Sequence, residues 1–473
     1  MEAQPPKPRV GLLALTLELY ETLAPQLRTG REKWLRDALL PALEPIADVR
    51  FQQAVYRREE IDAAVAELER DGAHALLVVC LTYSPSQLAL PALSRTRLPI
   101  VVWNTQELYA VDETFDGSKM TANHGVHGTQ DLCNVLLRSG VRFEYVTSHL
   151  DDADALAGLE DVLVAAAAAG RLRHARLGLL GYPFPGMGDL GLDTTHLAAT
   201  LGCHWRMLAV EDFNQRAASA GGEEVAHLVA EYRQTYDLAG DLAQEDLEQT
   251  ARAELALRRM VADHKLDALS YQFLALGEDE RTVTIPFVGI SRLMAEGIGF
   301  GGEGDLIGAA GTWLLGRVRG PATFSEIFTI DFAGNALLIS HMGECNPAMA
   351  RTDRKIPLVA RPTPIARIRG RQLALAVSLQ AGPATLFALT LGPGGRWRLV
   401  ASRVEVADFG PLPSMAVPHS KVNIFSGDVR EWLTAYAKAG GPHHNALCFG
   451  DATARLRLVA RLLDADFREV SLR

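Results

Sequence analysis

Four stretches in the second half of the chain set carboxylates and imidazoles in unusual company. Glu303 and Asp305 stand among glycines in GGEGD. Glu326 and Asp331 lie on the apolar run TFSEIFTIDF, His341 closes the strand-like LLISH, and His443 and His444 project from the Gly-Pro turn of GGPHHNA. Glycine lets the backbone carry a carboxylate into a tight site, and an acid on an apolar strand is costly unless it is paired or metal-bound. In strict alternation Glu326 and Asp331 face opposite sides of their strand, so without a bulge only one of them reaches a given site. Each residue also has an ordinary reading: a solvated turn, an edge acid, a structural histidine, a surface loop. Together, two carboxylates and two imidazoles form an octahedral oxygen and nitrogen set with open positions. Such a set suits Mn2+, Mg2+ or Co2+. The five cysteines, Cys80, Cys133, Cys203, Cys345 and Cys448, do not cluster with it, which disfavours structural zinc.

Two further motifs are weaker. His124 and His127 in ANHGVHGTQDL are three apart and would share a helix face, but the glycines around them favour a helix start or a loop. GIGFGG, Gly297 to Gly302, matches G-x-G-x-x-G. A dinucleotide fingerprint must follow a strand and open a helix. The segment before this one reads as helix, so we expect a flexible turn between helices. The chain has no P-loop and no G-x-S-x-G.

The elements that must position these residues fall into three textures. Residues 1–172 alternate apolar runs (Val10–Leu15, Ala75–Leu81, Ile100–Trp103) with amphipathic helices, the pattern of a parallel sheet covered on both faces. Residues 173–318 repeat it, with strands at Ala175–Leu180 and DALSYQF. Residues 319–473 break into short β-prone pieces with Gly/Pro turns, the pattern of an antiparallel sheet or barrel. The expected fold is therefore α/β: two doubly wound parallel-sheet domains followed by a C-terminal antiparallel β-barrel-like domain. With 47 Lys and Arg against 57 Asp and Glu, the net charge is −10 and there is no basic stripe, which excludes a nucleic-acid binder. Scattered, odd-numbered cysteines point to reduced thiols in a cytoplasm. The apolar N-terminal stretch reads as a first strand rather than a signal peptide, and no apolar run reaches the roughly 18 residues of a membrane span.

Several of these stretches line up with one known family. AELALRRMVADHKLDALSYQF followed by TIPFVGISRLMAEGIGFGGEGD, then ISHMGECNPAMA, GGPHHNA and NHGVHGTQD, resemble in the same order motifs of the L-arabinose isomerase family, within the wider group that includes L-fucose isomerase. The resemblance spans most of the chain. It implies a metal-dependent aldose–ketose isomerase acting through an enediol. Metal ligands would fall on Glu303, Glu326, His341 and, of the histidine pair, His444. Glu303 and Glu326 would also move the protons, and His127, Phe273 and His443 would contact the sugar. The metal would be Mn2+, with Co2+ or Mg2+ as alternatives, and the assembly a hexamer built from trimers. The sequence departs from the family at three places. Leu17 in TLELY stands where the family has a sugar-contacting glutamine, IFTID replaces D-Y-T-Y-H after Glu326, and Glu326 and His341 are closer in sequence. These departures bear on the substrate more than on the chemistry. They leave open an epimerase or lyase on the same scaffold; a non-catalytic sugar-binding paralogue is disfavoured by the intact ligand set.

Overall fold

The computed structural model describes residues 6–152 and 154–471. They pack as two compact units, residues 6–171 with 457–464, and residues 172–456 with 465–471.

The smaller unit is built on a five-stranded parallel sheet. Its strands run in the order Asp48–Arg50, Arg9–Leu15, Ala75–Cys80, Ile100–Asn104, Phe143–Thr147. Ala75–Cys80 is buried at every position, which is why it reads as an unbroken apolar run. The strand order reverses beside Arg9–Leu15, and ligand crevices of such sheets open at the carboxyl ends next to that reversal. Leu17 lies there, half-buried, as the first flanking residue of helix Glu18–Leu23. Helix Gly125–Arg138 packs on the end of Ala75–Cys80 so closely that a Cβ on Gly125 would lie 2.2 Å from the Cys80 carbonyl oxygen. The glycines of NHGVHG are therefore the contact surface of a helix start.

The larger unit begins with a four-stranded parallel sheet in the order Gly299–Gly301, Ala268–Tyr271, Arg176–Leu180, His204–Leu208. Here the structure corrects the reading of GIGFGG as a flexible turn between helices. Gly299–Gly301 is a strand, and helix Leu306–Val318 folds straight back over it. A Cβ on Gly299 would sit 2.4 Å from the Ala309 carbonyl oxygen, and one on Gly301 would sit 2.3 Å from that of Asp305. The glycines serve close strand–helix packing.

Six antiparallel strands then close a barrel. Around the ring these are Ala322–Asp331, Ala336–Ser340, His419–Ile424, Trp397–Val406, Gly382–Leu391 and His444–Phe449, which returns to the first. Asp466–Glu469 joins Trp397–Val406 in parallel. The molecule is thus α/β with two parallel sheets and a C-terminal barrel. Helix Leu306–Val318 packs against both the Gly299–Gly301 strand and the barrel strands Gly382–Leu391 and His444–Phe449. It is buried nearly all round, so it ties the sheet that carries Glu303 to the wall that carries His444. Two helices, Val429–Lys438 and Thr453–Leu463, interrupt what the sequence presents as an all-strand region. Strict alternation along Ala322–Asp331 also fails. The register slips between Ile327 and Thr329, and Ile327 and Ile330, three apart, both pack on the barrel core. This bulge leaves Glu326 and Asp331 on the same outer face, where Asp331 pairs with Lys421 and the Gly334 N–H.

Candidate metal and acid–base centre

Glu303 is delivered by the turn between strand Gly299–Gly301 and helix Leu306–Val318, at the carboxyl end of the edge strand of its sheet. Its backbone is left-handed, with φ +59°, a conformation that costs a non-glycine residue of order 1–3 kcal/mol. Two hydrogen bonds to its carbonyl hold it there, one from the Phe184 N–H at 2.9 Å and one from the Gln272 side-chain amide at 3.2 Å. The flanking glycines are obligatory. Gly304 has φ +84° and passes under the Tyr182 carbonyl, while a Cβ on Gly302 would lie 2.6 Å from His341 Cε1. Gly302→Ala is accordingly expected to cost about 1–3 kcal/mol in denaturant unfolding of this unit, because the His341 ring is pinned and cannot yield. A wild-type unfolding midpoint would contradict the crowding.

The barrel supplies the rest. Glu326 sits directly opposite His444 on one neighbouring strand and Ser340 on the other, and His341 follows Ser340. His341, His444 and Glu326 each place a ligand-type atom within 4.8 Å of the others, and so do Glu303, His443 and His444. Phe324 stands edge-on to both buried imidazoles, at 4.7 Å from His341 and 4.8 Å from His444. His444 Nε2 lies 3.6 Å from a Glu303 oxygen and His443 Nε2 lies 3.9 Å from the same oxygen.

Each imidazole is turned by a carboxylate on its other nitrogen. Glu344 takes His341 Nδ1 at 2.6 Å, and Glu344 itself accepts a short hydrogen bond from the Tyr271 hydroxyl. Asp305 takes His444 Nδ1 at 3.0 Å while capping helix Leu306–Val318 through the Gly308 N–H. Asp189 takes His443 Nδ1. A carboxylate accepts only, so in all three rings Nδ1 carries the proton and Nε2 is left toward the cluster. The Nε2 atoms of His443 and His444 are buried without a hydrogen-bond partner. Buried polar atoms are rarely left so, and the lone pair of His444 Nε2 beside a carboxylate oxygen is what a hard divalent cation would satisfy.

The electrostatics follow from these neighbours. Burial pushes the Glu303 carboxyl up, but the facing imidazoles of His443, His341 and His444 outweigh it and hold it below the usual carboxylate range. His443 is raised to about 9 by the Glu303 carboxylate against the pull of burial, with Asp189 adding to the rise. Burial draws the His341 imidazole down, and Glu344, with Glu303 and Glu326 adding to it, raises it above its ordinary value.

The larger unit thus brings Glu303, Glu326, His341, His443 and His444 together. Phe273 also lies in this unit, buried as the first residue of helix Phe273–Glu278, with its ring 6.0 Å from that of Phe184. Leu17 and His127 belong to the smaller unit. His127 is exposed in the first turn of its helix, with Nδ1 2.9 Å from His124 Nε2 and its ring 4.7 Å from that of Tyr83. Sequence reasoning assigned no role to Glu344, Tyr271 or Asp189. Glu344 could have been found, three residues after His341. Asp189 could not, because 254 residues separate it from His443.

A parallel sheet that presents one strained acid, and a barrel that presents a second acid and carboxylate-backed histidines, define an α/β enzyme with a carboxylate–imidazole centre. The L-arabinose isomerase central-domain family matches residues 192–316 and the L-arabinose isomerase C-terminal-domain family matches residues 321–466, together more than half of the chain. An L-arabinose isomerase of Acidothermus cellulolyticus is 29% identical over 405 residues, 80% of this chain and 77% of that protein. One of Mycolicibacterium smegmatis is 27% identical over 455 residues, 91% of this chain and 86% of that protein. The chain belongs to the L-arabinose isomerase family.

Proposed function

We propose that this chain, an aldose–ketose isomerase, works at one divalent cation held by Glu303, Glu326, His341 and His444. The observation that carries the reading is the convergence of two carboxylates on two carboxylate-backed imidazoles, with His444 Nε2 buried and unpartnered. The donors are all oxygen or imidazole nitrogen, which favours Mn2+, with Co2+ or Mg2+ as substitutes. Such a cation, when bound, polarises a carbonyl oxygen and stabilises negative charge developing on it. The protein's own residues move the protons. One glutamate takes the proton from C2 of the open-chain sugar and returns it to C1, and the other carries the hydroxyl proton. His443 contacts a sugar oxygen, and Phe273 bounds the pocket. Ketose formation assayed over a panel of aldopentoses and aldohexoses with Mn2+ tests the reaction, and no ketose from any of them would end it. Leu17 in place of a hydrogen-bonding glutamine costs about 1–3 kcal/mol wherever a sugar hydroxyl is left unpaired. L-Arabinose is therefore expected to rank below another aldose in that panel.

We assign the protein to the cytoplasm, on its five free cysteines. Among the described residues no helix is long and apolar enough to cross a membrane. The working form we propose is a hexamer built from trimers, in which His127 of one chain completes the site of another. Mixing His127→Ala protein with Glu303→Gln protein, after dissociation and reassociation, is expected to restore activity. Proven subunit exchange without recovery would refute sharing.

A further inference from the structure

The three carboxylates behind the imidazoles are not equivalent. Glu344 and Asp305 are buried, as are the rings they hold. Asp189 is 36% exposed, and the His443 side chain is 30% exposed where that of His444 is 1%. Asp189 lies in the turn Gly188–Leu190 of the loop GYPFPGMGDLG, which leaves the carboxyl end of strand Arg176–Leu180. This loop also reaches the centre through Phe184, whose N–H binds the Glu303 carbonyl.

The grip is double. A single oxygen, Asp189 Oδ2, accepts from both the His443 main-chain N–H, at 3.2 Å, and His443 Nδ1. Holding backbone and ring together fixes the ring's rotation as well as its tautomer. Nε2 is thereby aimed at Glu303, 3.9 Å away, with no hydrogen-bond partner of its own. His443 and His444 are adjacent with ring centroids 4.1 Å apart, so the two compete for the same space. The buried ring, His444, belongs to both groups of converging donor atoms, whereas the exposed ring belongs to one.

We propose that Asp189 is a positioning residue for the isomerisation, holding His443 so that Nε2 meets a sugar oxygen beside Glu303 and stays out of the metal's ligand set. The inference rests on the function proposed above. A sugar bound at Glu303 leaves the exposed side of the cluster for its next oxygen, and His443 is the polar side chain there that is anchored from behind. Without Asp189 the ring can turn and its Nε2 no longer addresses that oxygen.

The test compares Asp189→Ala with Asp189→Asn. Asparagine keeps an oxygen that accepts from both N–H groups, and alanine does not. For Asp189→Ala we expect kcat/KM to fall about 10- to 100-fold, the range typical of lost supporting hydrogen bonds, with KM raised. Asp189→Asn should recover most of the loss. The Mn2+ dissociation constant, followed by the EPR signal of free Mn2+, should stay within about threefold of wild type in both. The His443 ring nitrogens, followed by 15N NMR of the unreacted protein well above pH 9, where the ring is neutral, should show the Nδ1–H tautomer in wild type and Asp189→Asn and lose it in Asp189→Ala. Wild-type kinetics in Asp189→Ala would overturn the proposal. So would a Mn2+ constant that weakens in step with kcat/KM, because His443 would then be a ligand. Asp189→Asn as impaired as Asp189→Ala would do the same, because charge and not the grip would matter. If the alanine variant fails to fold, the asparagine variant and the wild-type tautomer still decide the point. An isomerase reading that fails the aldose panel leaves the tautomer and Mn2+ measurements standing, so the two failures are distinguishable.

Discussion

Glu303→Gln is expected to lower kcat by at least about 10³ with the fold intact. Glutamine has nearly the shape of glutamate, so it should tolerate the left-handed backbone and keep the two hydrogen bonds that Phe184 and Gln272 make to the residue 303 carbonyl. What it loses is charge. The Glu303 oxygen lies within 3.9 Å of two unpartnered imidazole nitrogens, so the same substitution removes a proton carrier and a ligand. Glu326→Gln, opposite His444 on the barrel wall, should be as severe for the same two reasons. Near-normal turnover in either variant, with unfolding midpoints unchanged, would remove that glutamate from the mechanism.

Stripping divalent ions is expected to abolish turnover and to lower the stability of the larger unit, both restored by Mn2+. The cluster holds Glu303, Glu326, His341 and His444 on two separate elements, the sheet turn and the barrel wall, so an ion bound there binds the folded unit and not the unfolded chain. By linkage, Mn2+ at 100 times its dissociation constant adds about 2.7 kcal/mol. Glu344→Gln, which weakens the support of His341, should reduce that gain, since outer carboxylates of this kind carry roughly 10- to 100-fold in metal affinity. Full activity after exhaustive chelation would contradict the role of a cation.

The parallel sheets were legible because fully buried strands such as Ala75–Cys80 are apolar at every position, and a run of that kind admits few other readings. The barrel was legible from short strands and turns. Helices Val429–Lys438 and Thr453–Leu463 were not, because they alternate with strands on a scale shorter than the texture of the region. GIGFGG misled for a different reason. Its glycines answer to Ala309 and Asp305 on the following helix, a packing demand that no local pattern carries. The bulge beside Ile327 likewise depends on the partner strand's register. In the centre, residue type and glycine context singled out Glu303, Glu326, His341 and the histidine pair. The supporting acids divide by distance. Glu344 is a near neighbour of His341, while Asp189 meets His443 only through the fold.

The central claim is that one cation sits among Glu303, Glu326, His341 and His444. Anomalous diffraction from crystals grown with Mn2+ tests it most directly. One manganese peak per chain is expected, roughly 2 Å from an oxygen of each glutamate and from Nε2 of both His341 and His444. No peak at that position, in crystals of protein whose turnover depends on Mn2+, would contradict it.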